Sequence, residues 1–318
     1  MRSEYVCVMV ALLIAVPLSV SAQLLHENRQ QKFPKAIPAG NYSGITALGD
    51  DRYAVVNDKS ADGFSIFHIS IDSLSGRILS VVDEGFIGSG LPNRDQEGIA
   101  FQPYTRTLYI SGEADNEILE YTLEGQRTGR RFQRSPLFSR VSHNYGLESL
   151  CYDADAHRFY TMSEHPAECD SLLRLMVFDD DGQLMQQYTY ALDPVPAKRR
   201  GTLGDGVSEL CALGDGRLLV LERTVRVPPL KIGSYVECRL YEICPASEER
   251  LQKKHLHTFR TKLNLVRRNF ANYEGLCVAR RLADGSLILL MIADSQNQYR
   301  GILRDWLKTL IVRKGDGL

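Results

Sequence analysis

The chain has 318 residues, 44% of them hydrophobic and 24% charged, enough apolar material to bury a large core in one repeat-built domain or two ordinary ones. Its 38 Lys and Arg offset 39 Asp and Glu to a formal net charge of −1. Such neutrality supplies no field for nucleic acid or an anionic membrane surface, so any strong field has to be local.

Residues 1–22 combine a short leading region with Arg2, an apolar run over 6–20, and the small residues Ser19, Ser21 and Ala22. This is the layout of a cleavable secretory signal peptide, cut after Ala22. A membrane anchor is the competing reading, but Pro17 interrupts the run and the run is short for a span. The expectation is a secreted or periplasmic, monomeric protein with one domain over 23–318. Of seven cysteines, Cys151, Cys211 and Cys277 fall at matching places in LESLC, SELC and YEGLC and read as small apolar packing groups. Cys238 and Cys244 share one apparent strand and lie too far apart to pair. A bridge from Cys169 to one of them is left open, and no CxxC or Cys/His spacing points to a metal.

Taken in order, the chain repeats itself. NYSGITALGDDRYAVVNDK (41–59), DQEGIAFQPYTRTLYISGEA (95–114), NYGLESLCYDADAHRFYTMSEH (144–165), GVSELCALGDGRLLVLER (206–223) and NYEGLCVARRLADGSLILLMIADS (272–295) are five copies of one unit. Each reads as a short apolar strand, a polar turn and a second apolar strand. Gly49-Asp50-Asp51, Gly214-Asp215-Gly216 and Asp284-Gly285 supply turn chemistry. Two further strand-like runs follow each of the first four copies. Four strands at intervals of about 50 to 65 residues is the pattern of a β-propeller blade. The expectation is an all-β, β-propeller fold of five blades, with six the alternative and a pair of packed sheets the competitor. The fifth copy is followed by one run only, 307–313, so the ring is expected to close by a strand from the N-terminus, within 31–37. Residues 194–205 and 224–234 lack alternation and read as long loops on one face. Trp306 reads as an apolar plug near the closure.

Propeller blades set their first strand against the central axis, so residues leading into it face one mouth of the channel. That lead-in position carries Ser43, Glu97, Glu148, Ser208 and Glu274, with Glu209 one residue later in the fourth copy. The end of the second strand carries Asp58, Glu113, Glu164, Glu222 and Asp294, followed in three copies by Lys59, His165 and Arg223. Strands joined by a tight turn return to the same end, so these acids are expected at one rim. Crowded carboxylates raise one another's pKa or recruit a hard cation, Ca²⁺ above all. Asp58, Glu97, Glu113, Glu209, Glu222, Glu274 and Asp294 are the candidate metal ligands. Glu148, Glu164, His165 and Arg223 are the candidate catalytic groups acting on a small anionic substrate. The plain alternative is that the acids accept backbone N–H groups from the next blade and hold the ring together. His143 and His157 read as loop and turn residues, and Asn41, Asn144 and Asn272 as turn formers or rim ligands.

As a set, SGITALGDDRYAVVNDK, DQEGIAF, NYGLESLCYD, GVSELCALGDGRLLVLER and NYEGLCV with LLMIADSQNQY resemble the phytase-like domain family, also described as having esterase-like activity of phytase. The resemblance runs from Tyr42 to the C-terminus. It implies a secreted bacterial propeller acting on phosphoesters, with its acidic positions at Asp58, Glu97, Glu113, Glu148, Glu164, Glu209, Glu222, Glu274 and Asp294. Ser43 and Ser208 replace Glu in two copies, and no dense Lys/Arg array suited to phytate is present. Three functions follow: a metal-dependent phosphoester hydrolase, a lactonase or carboxylic ester hydrolase, and a non-catalytic binding propeller.

Overall fold

The computed structural model describes residues 22–136, 146–168, 170–194, 202–229, 231–245, 249–263, 269–296 and 304–313. Two short segments come first, β1 (Gln23–Glu27) and β2 (Gln31–Lys32). Blade one is β3 (Tyr42–Gly49), β4 (Arg52–Asn57), β5 (Gly63–Ile71) and β6 (Ile78–Gly88). Blade two is β7 (Gln96–Gln102), β8 (Thr107–Gly112), β9 (Glu117–Tyr121) and β10 (Arg127–Arg131). Blade three is β11 (Leu147–Asp153), β12 (Arg158–Ser163), β13 (Leu173–Phe178) and β14 (Leu184–Tyr190). Blade four is β15 (Thr202–Ala212), β16 (Leu218–Val227), β17 (Tyr235–Ile243) and β18 (Lys253–Lys262). Blade five holds β19 (Asn272–Arg281), β20 (Ser286–Asp294) and β21 (Trp306–Arg313). Every blade is an antiparallel meander, and the five make a propeller with the strands β3, β7, β11, β15 and β19 in mutual contact around the axis.

Each blade is apolar on both faces because a neighbour covers each face. The core therefore divides into five clusters, one at every interface between successive blades. β20, walled in on both sides, is buried along its whole length and reads as the continuous apolar run SLILLMIA. β6, at the outer edge of blade one, alternates between exposed and part-buried residues instead. The hairpin turns fall where their residues predict: Gly49, Asp50 and Asp51 have φ of 94°, 52° and 58°, all at positive φ that Gly and Asp tolerate.

The ring closes through the N-terminal segment, but not mainly where the sequence pattern put it. β1 pairs with β21 in the register Gln23↔Arg313 to Glu27↔Leu310, and only Gln31 and Lys32 of the expected stretch add to the same edge. Phe33 and Ile37 instead pack into the core between blades five and one. Glu27 fixes the seam: its carboxylate meets Lys308 Nζ at 2.7 Å and His257 Nε2 at 2.8 Å, tying β1 to blades five and four. Trp306 heads β21 opposite Lys32 and packs against the core between blades four and five.

The two stretches read as loops are partly strand. β15 begins at Thr202 and β16 continues to Val227, paired Thr202↔Val227, so blade four rises beyond the others at the acid-bearing end. Residues 195–201 lie outside the described part, as do His143, Asn144 and Cys169. Cys151, Cys211 and Cys277 are free thiols buried against the axis, in keeping with a packing role; Cys238 and Cys244 are free as well.

Candidate active site at the acidic mouth

All five blades carry a register shift at the same place. It lies between Tyr42 and Ile45, Gln96 and Ile99, Leu147 and Ser149, Val207 and Glu209, and Tyr273 and Gly275. A bulge adds one residue to the first strand and re-aims its side chain. The residues so placed include Ser43, Glu97, Glu148, Ser208 and Glu274, all on the same rim.

The pairing register also identifies what lies opposite. Just before the bulge, Asp58 donates its N–H to Asn41 O at 3.1 Å and Glu113 to Asp95 O at 2.8 Å. Gly206 pairs with Arg223 and Asn272 with Asp294. The equivalent positions are therefore Asp58, Glu113, Glu164, Arg223 and Asp294. In blade four the acid is replaced by an arginine.

This corrects the placement of two expected ligands. Glu222 precedes the rim position by one residue and so faces the opposite side of β16. There it accepts from Tyr190 Oη at 2.8 Å and contacts Lys253, within a polar seam between blades three and four. Glu209 follows its bulge and turns into the channel, 1% exposed. Its carboxylate accepts the N–H of Leu150 at 3.2 Å and of Leu210 at 3.0 Å, with Leu276 N–H as a third donor, so it stitches blades three, four and five. In blades two and five this level has no room for a side chain: a Cβ on Gly98 would lie 2.6 Å from Leu150 N, and one on Gly275 2.7 Å from Ser43 O. The channel is thus pinched shut around Glu209. Beyond it lies an apolar opening of about 370 Å³ that Ile45, Ile99, Leu150, Leu210, Leu276 and the three thiols help line.

At the acid end Arg223 is the organising cation, 9% exposed. Its guanidinium binds Glu164 at 2.9 Å, contacts Glu274 directly, lies 3.8 Å from Glu148 and donates to Asn272 Oδ1 at 3.1 Å. Burial would lower its pKa, but Glu274, Glu164 and Glu148 more than reverse that, so it stays charged. Glu148 is held well above the usual carboxylate range by burial and then by Glu164, with Arg223 opposing. Glu274 is raised by burial against the pull of Arg223, and Asp294 is raised well above its ordinary value by burial and Glu274. Glu113 is raised by burial although it accepts Gly146 N–H at 3.0 Å. His165 Nε2 lies 3.9 Å from Glu164, at the edge of the same group.

A second cluster sits beside the first. Asp58, Asp95 and Glu97 each present a carboxylate oxygen, and the three lie within 4.8 Å of one another. Glu97 is pushed well above its ordinary pKa by burial, then by Glu148, Glu274, Asp58 and Glu113, which joins the two clusters electrostatically. Asp58 Oδ1 is buried with no hydrogen-bond partner, while Lys59 Nζ bridges Asp58 and Asp95 at 2.8 Å each. An all-oxygen donor set with one unsatisfied carboxylate atom, already bridged by an ammonium, fits a hard divalent cation. The side chain of Lys59 is 64% exposed, so it can swing away from such an ion.

Sequence reasoning missed Asp95, which was read only as the start of a repeat. Its signal was the lead-in position opposite Glu113. It also underweighted Asn272, whose amide bridges Arg223 and Glu274 by accepting from one and donating to the other at 2.8 Å.

Fold and site together define a five-bladed β-propeller with an acid-lined mouth around one buried arginine. The chain belongs to the phytase-like family, described by the esterase-like activity of phytase, whose profile matches residues 37–296. No curated protein matches the chain. Among solved structures it is similar to the tail fiber of Staphylococcus aureus phage P68, at 12% identity and TM-score 0.44 over 93% of this chain and 53% of that one. It spans about half the length of that protein. It is also similar to Kuenenia stuttgartiensis hydrazine synthase, at 8% identity and TM-score 0.38 over 86% of this chain and 81% of that one. A third likeness is to regucalcin of Agrobacterium tumefaciens, a calcium-binding protein, at 18% identity and TM-score 0.29 over 61% of this chain and 52% of that one. The propeller assignment rests on the blades themselves.

Proposed function

We propose that the protein is a secreted or periplasmic, monomeric hydrolase of small phosphoesters, working at the acidic mouth with a bound Ca²⁺. The observation that carries this reading is the pairing of two clusters at one rim. An oxygen-donor group of Asp58, Asp95 and Glu97 stands beside a buried guanidinium set among Glu148, Glu164 and Glu274. A cation held by Asp58, Asp95 and Glu97 would polarise a phosphoryl oxygen and neutralise charge on it. Arg223 and Lys59 bind and orient the anionic oxygens of the ester.

The acids divide the proton work. Glu148, kept protonated by burial and by Glu164, gives its proton to the departing alkoxide oxygen as the P–O bond breaks. Glu164, beside His165 and Arg223, takes the proton from the water whose oxygen forms the new bond to phosphorus. One phosphoester and one water give one phosphate product and one alcohol.

Assays on aryl phosphate mono- and diesters, aryl carboxylic esters and lactones, with Ca²⁺ and with chelator, test the reading. Turnover of phosphoesters should require the ion, and Glu148→Gln should lower kcat about 10²- to 10⁴-fold with the fold intact. Turnover of carbon esters or lactones alone would replace it with a carboxylic ester hydrolase. Ca²⁺ binding without turnover of any class would replace it with a binding propeller.

A further inference from the structure

Beside Arg223 the rim opens into a cavity of about 460 Å³ between blades four and five. Its walls follow from one strand. Along β16 the side chains of Arg223, Val225 and Val227 fall on one face, because alternate residues of a strand share a face. That face leads from the guanidinium outward over two valines. Leu263 and Phe270 supply the opposing wall, and Val225, Leu263 and Phe270 belong to one apolar cluster. Glu274 stands at the inner end. The strand extension that the sequence did not reveal is what builds this wall: Val225 pairs with Gly204 and Val227 with Thr202.

The charge around the reacting centre points the same way. Among the described residues, Asp58, Asp95, Glu97, Glu113, Glu148, Glu164, Glu274 and Asp294 outnumber the cations Arg223, Lys59 and Lys231 at this mouth and its cavity. Those of the acids that stay ionised repel a dianionic monoester or a polyphosphate more than a singly charged ester. A cavity of this volume is in the range of small-molecule sites, about 300 to 1,000 Å³; Lys231, Ser234, Asn272 and Gln296 also line it, while Val225, Val227, Leu263 and Phe270 give it one apolar wall.

From the phosphoester reading above, we infer that the substrate is a monoanionic phosphodiester carrying one apolar alkyl or aryl arm. The phosphate sits at Arg223 and the arm lies over Val225 and Val227 against Leu263 and Phe270. The pocket sets specificity and takes no part in bond breaking.

Two probe series separate this inference from the reading it rests on. Methyl n-alkyl phosphates, ethyl to hexyl, report turnover through released alcohol, and each has one apolar arm. Methyl(alkyl)phosphinates of the same chain lengths are monoanions with no ester to cleave and report binding by calorimetry. In the Ca²⁺-loaded protein both kcat/KM and affinity should rise about fourfold per added methylene, which is ~0.8 kcal/mol per buried CH₂ converted at 25 °C. In Val227→Asp that slope should vanish for both kcat/KM and affinity. Val227→Leu, an apolar change that narrows the pocket, should end the rise at a shorter chain. Turnover with a flat chain-length series overturns the apolar arm and leaves the phosphoester reading standing. Phosphinate affinity that climbs with chain length, without turnover of any ester, keeps the apolar subsite and overturns hydrolysis. A flat phosphinate series with no turnover overturns both.

Discussion

Arg223 and Glu209 show how one residue's displacement along a strand changes its task. Arg223 occupies a rim position that holds an acid in the other four blades, and it neutralises part of the ring those acids form. Replacing it by Met strands Glu164, Glu274 and Glu148 without their counter-charge. Loss of a buried partner of this kind costs about 3–5 kcal/mol, measurable by denaturant unfolding, and phosphoester turnover should fall with it. Glu209 serves three backbone donors. Glu209→Ala leaves the N–H groups of Leu150, Leu210 and Leu276 unsatisfied and should cost about 1–3 kcal/mol or more. Burial holds the Glu209 carboxyl well above its ordinary pKa in the folded chain. Between the unfolded and folded values the folded state binds the extra proton, so stability falls as pH rises through that window. Glu209→Gln, which keeps an acceptor oxygen but cannot ionise, should therefore match wild type at acid pH and exceed it at alkaline pH. Unfolding curves at pH 4 to 9 decide this, and an unchanged pH slope in the Gln variant would falsify the assignment. The acids themselves were legible in the sequence. Which of Glu222 and Arg223 faces the mouth was not, because a one-residue shift in a strand exchanges its two faces and only the pairing register fixes it.

At the scale of elements, the bulge is what makes the rim. Without it, side chains that lead into each first strand would continue the plain alternation of the sheet. The hairpins were readable because apolar runs and Gly/Asp turns are local signals. The rise of blade four was not, since Thr202, Leu203 and Gly204 lack alternation and become strand only by pairing with Val227, Arg226 and Val225. The closing strand was anticipated in kind and displaced in position. Gln23 to Glu27 look unremarkable as a strand, being mostly exposed, and owe their place to the free edge of β21. A chain beginning at Gln30 loses that edge cover and leaves Lys308, 6% exposed, without Glu27. We expect it to lose about 3–5 kcal/mol and to self-associate, as read by thermal unfolding and light scattering.

Across the whole molecule, five core clusters bind five blades, and among the described residues one end of the shared axis concentrates the acids around Arg223 and Lys59. The folded pKa of both Glu148 and Asp294 lies above the unfolded value, so without a cation stability should fall as pH rises from about 5 through their raised pKa values. Ca²⁺ at 100 times its Kd should restore about 2.7 kcal/mol near neutral pH, and chelator should remove it. Calorimetry at pH 5 to 8, with and without the ion, measures both; a transition indifferent to Ca²⁺ at every pH would remove the cation from the site. The sequence by itself determined the blade period, the hairpins and the stock of acids, because apolar alternation, turn residues and repetition are written locally along the chain. Only the tertiary structure decided which acids meet, that Asp95 joins Asp58 and Glu97, that Glu209 closes the channel, and that Val225 and Val227 wall a pocket beside Arg223. Those outcomes depend on register and on the approach of blades far apart in the chain, where a single bulge or one residue of slip sends a side chain to the other face.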